Sequence, residues 1–138
     1  MTKGTPFTTP SAREAAARMT GNLFNQWQLA SAEQQAALGG SRLGDVARGE
    51  PGAIERAAQL LQIHEHLRAL LQNRRLVPAW LRSPNRSFEG QAPLVFIMKP
   101  SNDGLLRVRA HLEGALNGGA SAPATDAAPA PALRQRQR

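Results

Sequence analysis

Residues 53–73 read AIERAAQLLQIHEHLRALLQN, the longest stretch of the chain with one uninterrupted helical pattern. Its apolar side chains, from Ile54 to Leu71, recur at the three- and four-residue spacing of a single helical face. We assign the polar residues between them, including Arg56 and Glu65, to the opposite, solvent-facing side. The pattern predicts a core-spanning helix on which the rest of a small domain assembles.

Shorter helical patterns precede this helix. Ser11, Ser31 and Ser41 each stand where a serine can cap the start of a helix, and Gly21-Asn22 is expected to end the first one. A capped helix, a glycine turn and a second capped helix form the outline of a helix-turn-helix. Two ordinary packed helices without DNA contact would give the same pattern, and both interpretations stay open.

Three further helices are predicted after the long one, at 76–81, 94–98 and 103–116. The apolar run at 94–98 could also be a buried strand, but no other segment offers a partner strand, so we predict a short helix. The fold class is therefore all-α. The expected organisation is a disordered N-terminus (1–10), a helix-turn-helix-like region (11–52), a helical domain (53–117) and a disordered Ala/Pro arm with a basic tip (118–138).

Composition limits the possible function. The 138 residues carry a net charge of +7, which favours contact with polyanions, and the basic tip contributes Arg134, Arg136 and Arg138. Cysteine is absent, which excludes disulfides and thiolate metal sites and fits a reducing cytoplasm. No apolar run is long enough to span a bilayer and no signal-peptide core is visible, so we expect a cytoplasmic protein without a membrane partner.

Enzymatic chemistry has no visible basis in the sequence. His64 and His66 lie about 200° apart around a helix, so they cannot share a metal ion. No nucleophile elbow or phosphate-binding glycine loop is present. We expect no catalytic residue, no metal and no cofactor.

The densest motif is AWLRSPNRSFEGQAPL, residues 79–94. Proline at position 84 is expected to end the helix that carries Trp80, and Asn85 can close the turn with its own side chain. Gly90 permits a conformation that other residues disfavour, and Pro93 suits the first turn of the next helix. So many turn signals around two large aromatic residues indicate a shaped surface.

The spacing Trp-Leu-x-x-Pro-Asn-x-x-Phe-x-Gly-x-x-Pro-Leu, followed by Asp103-Gly104 and the helix of Val108 and Leu112, resembles the toxin-binding domain of the Xre/MbcA/ParS antitoxins. The resemblance covers roughly residues 60–117 and, more weakly, 23–59. It implies a type II antitoxin whose partner is a RES-domain toxin that depletes NAD. It also implies neutralisation by covering the toxin's active site, and a homodimer that represses its own operon by binding operator DNA.

The motif with its resemblance suggests toxin-binding residues, and the helix-turn-helix outline suggests DNA-binding residues. The expected toxin-binding residues are Trp80, Arg82, Pro84, Asn85, Arg86, Phe88, Gly90, Pro93 and Leu94. The expected DNA-binding residues are Gln34, Ser41, Arg42 and Arg48. Trp80 and Phe88 could equally fill the core of a domain with so few aromatic residues, and tryptophan is also a common interface residue. The alternative function is a DNA-binding regulator, or a nucleoid or phage accessory protein, with no toxin partner.

Overall fold

The computed structural model describes residues 9–118, and the all-α prediction is confirmed within them. They form seven helices: α1 (Pro10–Trp27), α2 (Ser31–Ala37), α3 (Leu43–Arg48), α4 (Pro51–Leu71), α5 (Leu76–Arg82), α6 (Pro93–Ile97) and α7 (Asn102–Leu116). A 3-10 turn, Arg86–Phe88, lies between α5 and α6, beside one bridge that pairs Asn85 with Gln91. No helix in this part of the chain is long and apolar enough to cross a membrane. The predicted disorder of residues 1–8 and 119–138 lies outside the described residues.

The long predicted helix is α4, and it begins two residues earlier than expected because Pro51 suits the first turn of a helix. It ends at Leu71, because the next residue, Gln72, has a left-handed backbone with φ +60°. α4 packs against α1, α3, α5 and α7, so it occupies the centre of the fold as the sequence pattern indicated.

The predicted break at Gly21-Asn22 is wrong, because α1 runs through both residues to Trp27. Leu23, Phe24 and Trp27 continue its buried face and are at most 1 % exposed. Burying three large side chains outweighs the cost of about 1 kcal/mol that a mid-helix glycine carries. Tertiary packing therefore extends the helix beyond its local stop signal.

The three predicted serine caps are also wrong by one or two positions. Thr9 caps α1 by accepting the amide N–H of Ala12 at 3.0 Å. α2 and α3 begin after Ala30 and Arg42, whose amides donate to the carboxylates of Glu33 and Asp45 at 2.9 and 3.0 Å. Thr9 and Pro10 are consequently part of the fold, although the sequence pattern placed them in the disordered N-terminus.

One hydrophobic core runs through both predicted regions of the folded part. It includes Trp27 of α1, Leu38 after α2, Val46 of α3 and the buried side of α7. The expected inward residues Leu105, Val108 and Leu112 are all 0 % exposed. The indole N–H of Trp27 donates to Nδ1 of His64 on α4 at 3.0 Å, which adds a buried polar link between the N-terminal helix and the centre.

Candidate functional site

Asn85 organises the predicted motif loop. Its side-chain oxygen accepts the amide of Ser87 at 2.9 Å, and its backbone carbonyl accepts the amide of Gly90 at 2.9 Å. Its own amide donates to the carbonyl of Gln91 at 3.1 Å. The chain reverses direction between Asn85 and Gln91 because Glu89 and Gly90 both have left-handed backbone angles. The loop is therefore fixed by two consecutive left-handed residues and one buried asparagine.

An aromatic cluster supports the loop from inside. Phe88 is 0 % exposed, and its ring centroid lies 5.2–6.4 Å from those of Phe96, His111 and Trp80. The two aromatic residues of the motif thus pack in the interior, as the core-filling alternative predicts.

Arg107 on α7 holds the loop from outside. Its guanidinium donates to the carbonyl of Ser87 at 2.9 Å and to both carboxylate oxygens of Glu89 at 2.7 and 3.2 Å. It also lies over the rings of Phe88 and Phe96, 5.4 and 4.8 Å from their centroids. These hydrogen bonds lower the pKa of Glu89. Sequence analysis did not single out Arg107, because its partners lie 18–20 residues away in the chain.

Arg82 links the motif to the N-terminal region. Both of its terminal nitrogens bond the carboxylate of Glu33, at 2.9 and 3.0 Å, and one also donates to the carbonyl of Gln28 at 3.0 Å. The bidentate pair lowers the pKa of Glu33 to about 2. The predicted toxin-binding guanidinium is therefore already occupied inside the molecule.

Arg56 is the most connected polar side chain, and its assignment to the solvent face is wrong. It is 4 % exposed, and its guanidinium contacts seven acceptors at 2.9–3.4 Å. These acceptors are the carbonyls of Ala36, Ala37, Ile97, Lys99, Pro100 and Ser101 and the side-chain oxygen of Asn102. One cation thereby joins the end of α2 to the connection between α6 and α7.

The sequence did contain a signal for Arg56. It falls at the buried helical spacing, three residues after Ala53 and four before Leu60, both of which are at most 1 % exposed. We assigned Arg56 to the solvent-facing side because of its charge, although its helical position predicted burial. Burial lowers its pKa, and carbonyl acceptors replace the water that the guanidinium loses.

The predicted toxin-binding residues separate into two groups. Trp80, Asn85, Phe88, Pro93 and Leu94 are buried, so their side chains shape the surface and do not form it. Arg82, Pro84, Arg86 and Gly90 are exposed. Arg86 makes no side-chain hydrogen bond or ion pair with any residue that the structure describes. It is the free cation of the motif within residues 9–118.

The predicted DNA-binding residues are partly brought together. Gln34, Ser41 and Arg42 line one groove of about 300 Å³ between α2 and the start of α3. Arg48 does not line this groove, and its guanidinium pairs with Asp45. α3 has only six residues, which is short for a helix that reads a major groove.

Comparison with known families identifies the C-terminal half. Residues 66–119 match the sequence profile of the antitoxin Xre/MbcA/ParS C-terminal toxin-binding domain. The match begins within α4 and includes the motif loop, its aromatic support, Arg107 and all of α7. A search among curated proteins found no match for the chain. Residues 66–119 of this chain are thus similar to the toxin-binding domain of the Xre/MbcA/ParS antitoxins.

Proposed function

We propose that the protein is a stoichiometric inhibitor of a RES-domain toxin that depletes NAD, and that it acts by covering the toxin's active-site cleft. The toxin-binding domain at residues 66–119 carries this proposal. Its motif loop is held by Asn85 and by Arg107, so little conformational freedom is lost when a partner binds. The protein would act in the cytoplasm and would bind no NAD itself.

The exposed side of the loop is the part available to a toxin. Pro84, Arg86 and Gly90 lie on it, with the guanidinium of Arg82 fixed on its α2 side by Glu33. Arginine is enriched among residues that dominate binding energy, and Arg86 has no competing partner among the described residues. We therefore expect Arg86 to contribute more to toxin binding than Arg82.

Co-purification and titration with the cognate RES-domain toxin test this function. Arg86→Glu should weaken binding by at least about tenfold, since a hot-spot residue contributes about 2 kcal/mol or more. Arg18→Glu is the matched control, because Arg18 is an exposed cation on α1, outside the toxin-binding domain. Equal affinity of both variants and the wild type would remove the loop from the interface. Failure of the wild type to bind or inhibit the toxin would refute the antitoxin function.

We also propose that a homodimer of the chain represses its own operon by binding operator DNA through the groove of Gln34, Ser41 and Arg42. The proximity of these three residues supports this second function. Arg42→Ala should reduce the preference for operator over random DNA, because a base-edge contact contributes about 1–3 kcal/mol. Operator binding without any toxin binding would favour the alternative function, a DNA-binding regulator.

A further inference from the structure

Val95 and Lys99 lie on and just after α6, beside the motif loop, because Phe96 of α6 packs against Phe88 of that loop with ring centroids 5.3 Å apart. Neither residue was expected to take part in binding. On α6 the side chains of Pro93, Leu94, Phe96 and Ile97 are buried, whereas Val95 is 39 % exposed. Lys99 follows at the end of this helix, and its ammonium lies 5.2 Å from the centroid of the Phe96 ring. An exposed apolar residue thus lies four positions from a cation held against an aromatic ring.

Positive charge is in excess here. Arg107 and Lys99 both lie over the Phe96 ring, and the adjacent carboxylate is that of Glu89. Arg107 occupies both oxygens of this carboxylate. Lys99 adds a long-range attraction that also lowers the pKa of Glu89, but it forms no hydrogen bond or ion pair with a described residue. Lys99 therefore has no carboxylate partner of its own.

The backbone that carries Lys99 is preorganised. The guanidinium of Arg56 donates to the carbonyls of Ile97, Lys99 and Ser101 at 2.9–3.2 Å. Any displacement of this backbone segment would therefore break hydrogen bonds. A surface whose backbone is already fixed loses less entropy when it is covered. This distinguishes Lys99 from a cation on a freely moving loop.

Protein is a better match than nucleic acid for this surface. A nucleic acid presents a continuous row of phosphates, whereas here the exposed carboxylate of Glu89 (65 % of its side chain) interrupts the basic surface and leaves Lys99 as a single cation for a single carboxylate. Val95 adds apolar area, which protein interfaces bury at their centre. The surface also lies inside the toxin-binding domain of residues 66–119.

We propose that Val95 and Lys99 form an acid-recognising surface, on which the toxin places a carboxylate against Lys99 and an apolar side chain against Val95. This inference rests on the proposed antitoxin function and specifies the chemistry of the partner's surface. Opposite charges that approach across an interface accelerate association and make it salt-dependent.

The test measures the affinity of the full chain for its purified cognate RES-domain toxin at about 0.05 and about 0.5 M salt, because charges are screened much more strongly at the higher concentration. Lys99→Glu should weaken binding by at least about tenfold at low salt and by much less at high salt. Lys99→Gln should fall between Lys99→Glu and the wild type. Arg18→Glu reverses an exposed charge outside the domain and should bind like the wild type. Val95→Asp should also weaken binding, because it places a carboxylate where the partner's acidic surface is expected.

A reciprocal exchange strengthens the test. Replacing one acidic residue at the toxin's interface by lysine should restore affinity for Lys99→Glu while weakening it for the wild type. If the wild type binds but Lys99→Glu matches Arg18→Glu at both salt concentrations, the acid-recognising surface is refuted and the antitoxin function stands. Loss of operator binding with unchanged toxin binding would also refute it, because the surface would then contact DNA. If the wild type does not bind the toxin, both proposals fall.

Discussion

Replacing Arg56 by methionine should destabilise the contact between α2 and the connection from α6 to α7. Methionine keeps most of the apolar stem and removes the guanidinium, whose seven acceptors belong to α2 and to the connection between α6 and α7. Two of these hydrogen bonds are fully buried, to the carbonyls of Ala37 at 3.0 Å and Ile97 at 2.9 Å. The variant therefore leaves at least two buried acceptors without a donor.

The magnitude follows from those two acceptors. A buried carbonyl left unpaired costs about 1–3 kcal/mol, which gives about 2–6 kcal/mol for the pair. The remaining acceptors are partly buried and can bind water instead. Methionine also avoids the desolvation of a charge, which offsets part of the loss. We expect a decrease of about 2–4 kcal/mol in the free energy of unfolding, a large share of the roughly 5–15 kcal/mol typical of a domain.

Urea unfolding followed by circular dichroism measures this decrease. Arg68→Met is the matched control on the same helix, because Arg68 is exposed and its ion pair with Glu65, at 3.6 Å, joins two exposed side chains. That control should change the free energy of unfolding by less than about 0.5 kcal/mol. Arg56→Lys keeps the charge but offers three donors from one point, so it should recover only part of the loss. If Arg56→Met unfolds within about 0.5 kcal/mol of the wild type, the hydrogen bonds of Arg56 do not stabilise the fold as argued.

Three other outcomes are expected. A Cβ on Gly104 would collide with the carbonyl oxygen of Phe96 in α6. Gly104→Ala should therefore reduce the free energy of unfolding by about 1–3 kcal/mol and lower the melting temperature. A Cβ on Gly114 of the same helix would contact no atom. Gly114→Ala should therefore increase the free energy of unfolding by about 0.5–1 kcal/mol, because alanine favours the helix more than glycine does, and raise the melting temperature. The low pKa of Glu33 means that its ion pair stabilises the fold above pH 4.5 and is lost as the pH falls toward about 2. Glu33→Gln, assayed by urea unfolding across this range, should abolish that dependence, with a loss of about 0.2–1 kcal/mol at neutral pH for so exposed a pair. Burial lowers the pKa of His64, and protonation would remove the acceptor of the Trp27 N–H, so stability should fall as the pH drops below 6.5. His64→Gln, compared with the wild type by urea unfolding at about pH 7.5 and about pH 5, should weaken this dependence, whereas equal pH profiles would contradict it.

The amino-acid sequence was sufficient for the helical framework. Periodic apolar positions identified α4 and the buried side of α7, because helical periodicity needs no information beyond one segment. The turn chemistry of Pro84, Asn85 and Gly90 likewise indicated a tightly shaped loop. The same motif pointed to the toxin-binding domain that the family comparison identifies.

Local patterns failed where distant segments meet. Gly21 lies inside a helix because its neighbours pack against the core, and Arg56 is buried because acceptors up to 46 residues away surround its guanidinium. Arg82 belongs to the motif, yet its partner Glu33 lies 49 residues earlier. Helical periodicity tells which side of a helix is buried, but not which polar groups will face a charge placed there. Only the tertiary structure brings donor and acceptor together, and this decides which cations hold the fold and which remain free for a partner.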